Sequence, residues 1–234
     1  MIKKNSFKET KTIELELSYL SYFPKNYRDH SNEKYPLLLF LHGMGESGNH
    51  LDDLYRTGLP KMLKEGNEIP FVAIMPQCPK DSFWTEETPA LKALVDHMIS
   101  TLPIDETRVY ITGLSMGGYG TYEMLIRYPK TFAAGIPICG GLGSLYSRIN
   151  VLNLKDKPLW IFHGEKDPVV SINESTSIID TLKIAHSKNL KYTFYPELGH
   201  DSWTKTYQNY EIFSFLLQHI TVNNSTFPPK NCYP

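Results

Sequence analysis

The sequence is poor in cysteine, in long apolar runs and in net charge. Its three cysteines, Cys78, Cys139 and Cys232, are far apart and form no C-x-x-C pair, which argues against a disulfide framework or a zinc site. No apolar run approaches the ~20 residues that cross a bilayer, and the N-terminus lacks an apolar signal core. The formal net charge of -1 offers no basic surface to nucleic acid. We therefore expect no metal, nucleic-acid or membrane partner, and a cytoplasmic protein unless an export signal has been removed.

The composition is that of an ordinary globular protein. Hydrophobic residues make up 41% and charged residues 21%, which argues against a disordered or fibrous chain. Chains of 234 residues commonly form one α/β domain, and no linker rich in Gly, Ser or Pro divides this one. We expect a single domain over residues 1–234, with a core between about 12 and 220 and an extended or disordered tail over 221–234.

Predicted strands and helices alternate along the chain. Residues 12–20 alternate apolar and polar side chains, which predicts a half-exposed antiparallel edge strand. Later apolar runs are short and mostly continuous, as in strands covered on both faces. These runs are residues 35–41, 71–75, 108–112, 132–138, 159–162 and 192–195. Helical patterns lie between them, the clearest starting at Thr88-Pro89. We predict an α/β fold with a mostly parallel central sheet, helices on both faces and an antiparallel N-terminal edge.

The last helix is predicted from a set of apolar residues at helical spacing near the end of the chain. They are Tyr207, Tyr210, Phe213, Leu217 and Ile220.

A G-x-S-x-G segment joins a predicted strand to a predicted helix at Gly113-Leu114-Ser115-Met116-Gly117. A serine in this context sits on a turn so tight that the residues two positions away on either side cannot carry side chains. The turn also places the Met116 N–H at the start of the helix, where it points at developing negative charge. We predict Ser115 as a nucleophile and Met116 as an oxyanion donor. The alternative is a glycine-rich turn without a nucleophile.

A serine nucleophile needs a base, and a carboxylate must hold that base in the right tautomer. Asp167 and His200 each follow a predicted strand, and parallel sheets place their sites at this edge. We therefore predict His200 as the general base and acid and Asp167 as its orienting carboxylate. Glu165 is the competing carboxylate, and His163 is interpreted as structural. Asp180, in a predicted helix, is expected to be solvated.

The loop His42-Gly43-Met44-Gly45 follows the strand predicted over 35–41. Acyl transfer places negative charge on the carbonyl oxygen, and two backbone donors usually stabilise it. The two glycines allow a close backbone approach, so we predict the Met44 N–H as the second donor. A phosphate-binding P-loop is the alternative, but no Lys-Ser/Thr pair follows the glycines.

Taken together, four segments in this order and spacing resemble the α/β-hydrolase superfamily. They are His-Gly-x-Gly at 42–45, Gly-Leu-Ser-Met-Gly-Gly at 113–118, Gly-x-x-Asp at 164–167 and Gly-His-Asp-Ser-Trp at 199–203. The likeness covers roughly residues 12–220 and is closest to small esterases of the dienelactone hydrolase, feruloyl esterase and polyhydroxybutyrate depolymerase types, and to lone catalytic domains similar to prolyl oligopeptidase. It implies the α/β-hydrolase fold, a Ser115–His200–Asp167 triad and an oxyanion hole at Met44 and Met116. Dienelactone hydrolase itself has a cysteine nucleophile where this chain has Ser115.

Two tryptophans are predicted to border the substrate. Trp84 follows the strand over 71–75 and Trp203 follows His200, so both could form aromatic walls for a sugar ring or an aromatic acyl group. The alternative is that one or both only pack inside the fold. His42 is also expected at the substrate. Because residues 140–157 are too few for a large lid, we expect an open, shallow site.

These features predict a serine carboxylic ester hydrolase that forms an acyl-enzyme on a small or carbohydrate-linked ester of acetyl or feruloyl type. No metal and no dissociable cofactor are expected. One alternative is a serine peptidase of prolyl oligopeptidase type. Another, since a fold does not establish a function, is a non-catalytic carbohydrate-binding protein on the same scaffold.

Overall fold

The computed structural model describes residues 2–10, 12–30 and 32–221 and is built around one seven-stranded sheet. Its strands are β1 Tyr19–Tyr22, β2 Tyr35–Leu41, β3 Val72–Pro76, β4 Ile104–Leu114, β5 Ala134–Ile138, β6 Leu159–Gly164 and β7 Leu190–Tyr195. Their order in the sheet is β1-β3-β2-β4-β5-β6-β7. β1 is antiparallel to β3, whereas the other neighbours pair in parallel. The predicted mostly parallel sheet with an antiparallel edge is confirmed.

Helices cover both faces of this sheet. They are α1 Gly58–Lys64, α2 Thr88–Thr101, α3 Met116–Arg127, α4 Leu145–Ile149, α5 Asn173–Ile184, α6 Trp203–Gln208 and α7 Glu211–Leu217. Short 3-10 helices span Met44–Glu46, Leu51–Arg56 and Val151–Leu154. Successive strand residues point to opposite faces. Ile111 of β4 therefore belongs to the core that includes residues of α2, α3 and α5, while Tyr110 belongs to the core that includes residues of α1, α6 and α7. The sheet therefore separates two apolar cores.

The edge strand lies further along the chain than the sequence pattern predicts. β1 begins at Tyr19, opposite Pro76, the last residue of β3. Residues before Tyr19 run past the end of β3, and one further hydrogen bond, from Gln77 N to Ser18 O, extends the pairing. Ile13 and Leu15 are accordingly 76% and 48% exposed. The strand predicted over residues 12–20 is thus wrong for most of its length.

The predicted last helix is two helices. α6 ends at Gln208, and the Asn209 side chain accepts a hydrogen bond from the N–H of Glu211 in the first turn of α7. Tyr210 and Ile220 are about half exposed as a result. Residues 222–234, which hold Cys232 and almost all of the predicted tail, lie outside the described residues. The single-domain assignment stays a prediction.

Among the helices of the described ranges, none has both the length and the apolar character that a bilayer crossing requires.

The loops that follow the parallel strands meet at one edge of the sheet. The carboxyl ends of β2, β4, β6 and β7 lead into the segments that hold Gly43, Ser115, Asp167 and His200 respectively. Residues far apart in the sequence are therefore brought together at the edge where open α/β sheets bind their ligands.

Candidate active site

Ser115 is the single residue between β4 and α3, and its backbone is strained. Its φ and ψ are 53° and -117°, a conformation that residues other than glycine rarely adopt and that persists only where the surrounding structure enforces it. One such restraint is the hydrogen bond from Ser115 N to Ile138 O at 2.9 Å. This turn sets the hydroxyl at the end of the sheet, as a nucleophile elbow requires.

The two glycines of the turn are sterically required. A Cβ at Gly113 would lie 2.3 Å from the Gly117 carbonyl oxygen, and one at Gly117 would lie 2.0 Å from the Leu41 carbonyl oxygen. Both obstacles are backbone atoms of packed elements, which cannot move aside cheaply. The prediction that these positions cannot carry side chains is confirmed.

Ser115, His200 and Asp167 form one hydrogen-bonded row. His200 Nε2 lies 2.9 Å from Ser115 Oγ, and His200 Nδ1 lies 2.7 Å from Asp167 Oδ2. Because a carboxylate can only accept, the proton of the neutral imidazole sits on Nδ1, and Nε2 is left to accept from the serine hydroxyl. The structure therefore brings the three predicted side chains together in the order that their proposed roles need.

Asp167 is held as a carboxylate by several donors. Its Oδ1 accepts the N–H groups of Val169 and Val170 at 2.8 and 2.9 Å. Burial opposes ionisation, but the hydrogen bonds from His200 and from these two N–H groups hold the pKa of Asp167 below its usual range. Glu165, the competing carboxylate, is exposed. The carboxylate that contacts His200 is thus Asp167.

Two further sequence interpretations agree with the structure. His163 is buried, with Nδ1 2.8 Å from Ser175 Oγ and Nε2 2.9 Å from Val170 O, so its predicted structural role is confirmed. Asp180 is exposed on α5, as predicted.

The loop after β2 packs directly against Ser115. A Cβ on Gly43 would lie 3.7 Å from Ser115 Cβ, and Met44 and Met116 border the same cleft as Ser115 and His200. Met116 is the first residue of α3, so its N–H has no acceptor within the helix. This placement suits two backbone donors beside the hydroxyl, although their oxyanion role stays a prediction.

His42 does not lie where the sequence analysis places it. Its side chain is buried and outside the cleft lining. Nε2 accepts the N–H of Cys78 at 2.9 Å, so the proton is on Nδ1, which lies 2.5 Å from Gly43 O. Burial lowers the pKa of His42 to about 4, so the ring is neutral. The predicted substrate contact is corrected: His42 ties the loop at Gly43 to the loop after β3.

Trp84 is also a packing residue. It is fully buried, its Nε1 donates to His42 O at 3.0 Å and its ring stands edge-on to the His42 ring at 5.0 Å. It is among the residues that line the cleft, but no part of its side chain is exposed to it. The aromatic side chain that is exposed in this segment is its neighbour Phe83, at 46%. The predicted wall at Trp84 is therefore corrected in favour of the alternative, packing.

Trp203 lies beside the row of hydrogen-bonded residues. Its ring is half-buried, borders the cleft and stands at 90° to the His200 ring with centroids 5.2 Å apart. Its role as a substrate wall stays a prediction.

Gln77 and the backbone after it anchor the loop that holds Met44. Gln77 Nε2 donates to Glu46 O at 2.8 Å and to His50 O at 3.0 Å, and Gly48 N donates to Cys78 O at 2.9 Å. With the contacts of His42 and Trp84, these bonds fix the loop before any substrate arrives. A fixed donor loses no free energy to reorganisation when charge develops.

The cleft itself has a volume of about 690 Å³. Much of its rim is apolar, with Met44, Phe83 and Val169 exposed. One buried carboxylate, Glu46, also borders it. The sequence analysis did not identify Glu46 as a residue of the site, although its position directly after the two glycines of the loop could have indicated it.

One group of potential metal ligands overlaps the row. A Cys139 Sγ, an Asp167 oxygen and a His200 nitrogen lie within 4.8 Å of one another. Burial raises the pKa of the Cys139 thiol to about 12, so it stays protonated near neutral pH, whereas a metal ligand must be a thiolate. The geometry and charges suit serine chemistry better than metal binding.

Comparison with known proteins agrees with this arrangement. The profile of the phospholipase/carboxylesterase family matches residues 70–220, a stretch that includes Ser115, Asp167 and His200. The chain belongs to this family.

Individual relatives and solved structures are similar to different shares of the chain. Carboxylesterase SOBER1 of Arabidopsis thaliana is 28% identical over 70% of this chain and 71% of its own length. The bifunctional acetylxylan esterase/xylanase XynS20E of Neocallimastix patriciarum is 29% identical over 65% of this chain but 22% of its own length. The crystal structure of a thermostable esterase is similar with a TM-score of 0.73, at 33% identity over 88% of this chain and 60% of that one. The resemblance to the esterase branch of the α/β-hydrolases is confirmed.

The neutral, buried His42 makes stability depend on pH. The unfolded chain takes up a proton on His42 below its ordinary pKa of about 6.5, whereas the folded chain does so only near 4. The free energy of unfolding should therefore fall by about 3 kcal/mol as the pH drops through this window. In His42→Asn this part of the decrease should be absent.

Urea unfolding at pH 7, 5.5 and 4.5 measures the effect. His97→Asn, which changes an exposed histidine of α2, is the control and should keep the wild-type decrease. An unchanged pH dependence in His42→Asn contradicts the assignment.

Proposed function

We propose that this protein is a serine carboxylic ester hydrolase that forms an acyl-enzyme on Ser115. The observation that carries the proposal is the row of Ser115, His200 and Asp167 beside an open cleft, with His200 within hydrogen-bonding distance of both partners. Its relatives include a carboxylesterase and an acetylxylan esterase, which supports ester hydrolysis.

The geometry supports a two-step mechanism. His200 Nε2 accepts the proton of Ser115 Oγ as the hydroxyl attacks the ester carbonyl, and Asp167 stabilises the imidazolium that forms. The N–H groups of Met44 and Met116 donate to the oxygen that becomes negative. His200 then gives its proton to the leaving alcohol, and afterwards removes a proton from the water that releases the acid.

The shape of the cleft supports a small or carbohydrate-linked ester, of acetyl or feruloyl type. The segment between β5 and β6 contains two short helices, α4 and the 3-10 helix Val151–Leu154, and Gly143 is its contribution to the cleft lining. It therefore leaves the entrance open. The half-buried Trp203 can stack on a sugar or an aromatic acyl group.

A comparison of ester and amide substrates tests the proposal. We expect turnover of p-nitrophenyl acetate and of acetylated or feruloylated sugars, and no detectable release of p-nitroaniline from a peptidyl anilide. The reason is that an alkoxide leaves more readily than an amine, so cleavage of an ester depends less on proton donation by His200. Release from the anilide alone would assign the chain to the serine peptidases instead. Binding of the sugar esters without turnover would identify a non-catalytic carbohydrate-binding protein.

A further inference from the structure

Glu46 is a buried carboxylate beside Ser115 that the proposed mechanism does not use. Its residue is 6% exposed and borders the cleft. A Cβ on Gly43 would lie 3.4 Å from Glu46 Oε2 and 3.7 Å from Ser115 Cβ, so the carboxylate and the serine flank the same glycine. A negative charge in this position repels any anionic substituent that lies next to the reacting ester bond.

The other charges around the cleft do not cancel that of Glu46. Glu86, which is exposed, also borders the cleft, and within the described ranges no Lys or Arg side chain does. Arg56, in the 3-10 helix Leu51–Arg56, attracts Glu46 electrostatically, but its guanidinium pairs with Asp53 at 2.8 Å. The reacting centre therefore lies in a negative field.

Burial strengthens that field. Close to a carboxylate that water screens poorly, a second negative charge is repelled far more than it would be in bulk water. Burial also raises the pKa of the Glu46 carboxyl, while the Gly43 N–H and Arg56 act in the opposite direction. The pKa of Glu46 thus lies above its usual range, so this carboxylate takes up a proton at a higher pH than an ordinary glutamate does.

From this geometry we infer that Glu46 makes the enzyme selective for the charge of its substrate. It favours neutral esters and disfavours esters that carry a carboxylate or phosphate near the scissile bond. The inference rests on the proposed esterase function and narrows its substrate class. Of the two activities for which the phospholipase/carboxylesterase family is named, the inference favours that of a carboxylesterase, since a phospholipid carries an anionic phosphate near its ester bonds.

Two acetyl esters that differ in charge test the inference. The substrates are 4-acetoxybenzamide, which is neutral, and 4-acetoxybenzoate, in which a carboxylate replaces the amide at a position too remote to attack the ester itself. We measure the ratio of kcat/KM for the neutral ester to that for the anionic ester at pH 8. Replacing Glu46 with Gln should lower this ratio by on the order of tenfold, because the anionic ester is no longer repelled.

The matched control is Glu86→Gln, which removes the same charge from an exposed position in the same cleft. Water and salt screen an exposed charge, so this variant should change the ratio less than twofold. An equal effect in both variants would indicate the summed field of the cleft rather than Glu46 and would overturn the inference.

A second measurement varies the pH. In the wild-type protein the ratio should fall as the pH is lowered within the range where the benzoate is still ionised, because the raised pKa of Glu46 makes it take up a proton before an ordinary carboxyl does. A loss of activity that is common to both substrates cancels in the ratio. The other titratable or charged groups that face Glu46 or the cleft are Asp53, Arg56, Glu86 and His200. The change should be absent in Glu46→Gln.

The outcomes separate the two proposals. If the neutral ester is hydrolysed and neither the substitution nor the pH changes the ratio, the inference about Glu46 is wrong and the esterase function stands. If the folded wild-type protein hydrolyses neither ester, the proposed function fails and the inference fails with it.

Discussion

Replacing Ser115 with alanine should lower the kcat of ester hydrolysis by about 10⁴-fold or more and abolish covalent labelling by a fluorophosphonate. The loss is large because the substitution removes the one hydroxyl that lies 2.9 Å from His200 Nε2; nucleophile and base act as a unit, so deleting either member removes nearly all of their joint effect. The backbone N–H groups of Met44 and Met116 remain, and binding at the oxyanion site alone accounts for any residual rate. Initial rates with p-nitrophenyl acetate and mass spectrometry of the labelled protein measure both results.

Ser202→Ala is the control for this experiment. Ser202 is buried in the same loop as His200, so its substitution tests whether any small change near the base has the same effect. It should retain labelling and most of the activity. Labelling of Ser115→Ala at full stoichiometry would show that the nucleophile is another residue and would contradict the proposed active site.

Replacing Asp167 with asparagine should lower kcat by about 10⁴-fold while the protein stays folded. Asn retains an oxygen for the N–H groups of Val169 and Val170, which Oδ1 of Asp167 accepts at 2.8 and 2.9 Å. Its amide NH₂, however, faces His200 Nδ1, which must then accept rather than donate. The proton moves to Nε2, and the imidazole can no longer accept from Ser115.

Thermal unfolding separates this loss of orientation from a loss of structure. His163 Nε2 lies 3.3 Å from Asp167 Oδ2, so the amide also meets a second donor, and a modest decrease in Tm is expected. Glu165→Gln changes an exposed carboxylate in the same loop and should leave kcat within about twofold of wild type, as surface substitutions usually do. Near-wild-type activity of Asp167→Asn, or a large loss in Glu165→Gln, would move the orienting role away from Asp167.

Much of the fold could be predicted because the relevant signals are local. The strand predicted over 35–41 is β2 in full, since a run of apolar residues covered on both faces is continuous in the sequence. The helix predicted from Thr88-Pro89 is α2, with both residues inside its first turn. Where a pairing partner sets the boundary of a strand, the prediction was wrong. β1 begins opposite the last residue of β3, and the pattern of residues 12–18 carries no information on the length of a strand more than fifty positions away.

The site shows the same division. Ser115 and its flanking glycines could be predicted because a strand, a tight turn and a helix are consecutive and their sterics involve neighbouring residues. The loops of Asp167 and His200 followed from the rule that parallel strands end at a common edge. The rule places loops at that edge, but not the direction of each side chain within a loop. His42 and Trp84 therefore lie at the right edge yet face inward, while Phe83 and Glu46, which the pattern did not single out, border the cleft.

The sequence by itself thus determined the order of the elements, the elbow at Ser115 and the chemical type of the residues at the active edge, because these depend on spacing along the chain and on backbone sterics. Only the tertiary structure decided which carboxylate meets His200, which loop residues support Met44 and which charge borders the reacting centre. Those outcomes depend on packing between segments remote in sequence, where burial and hydrogen bonding select one orientation for each side chain.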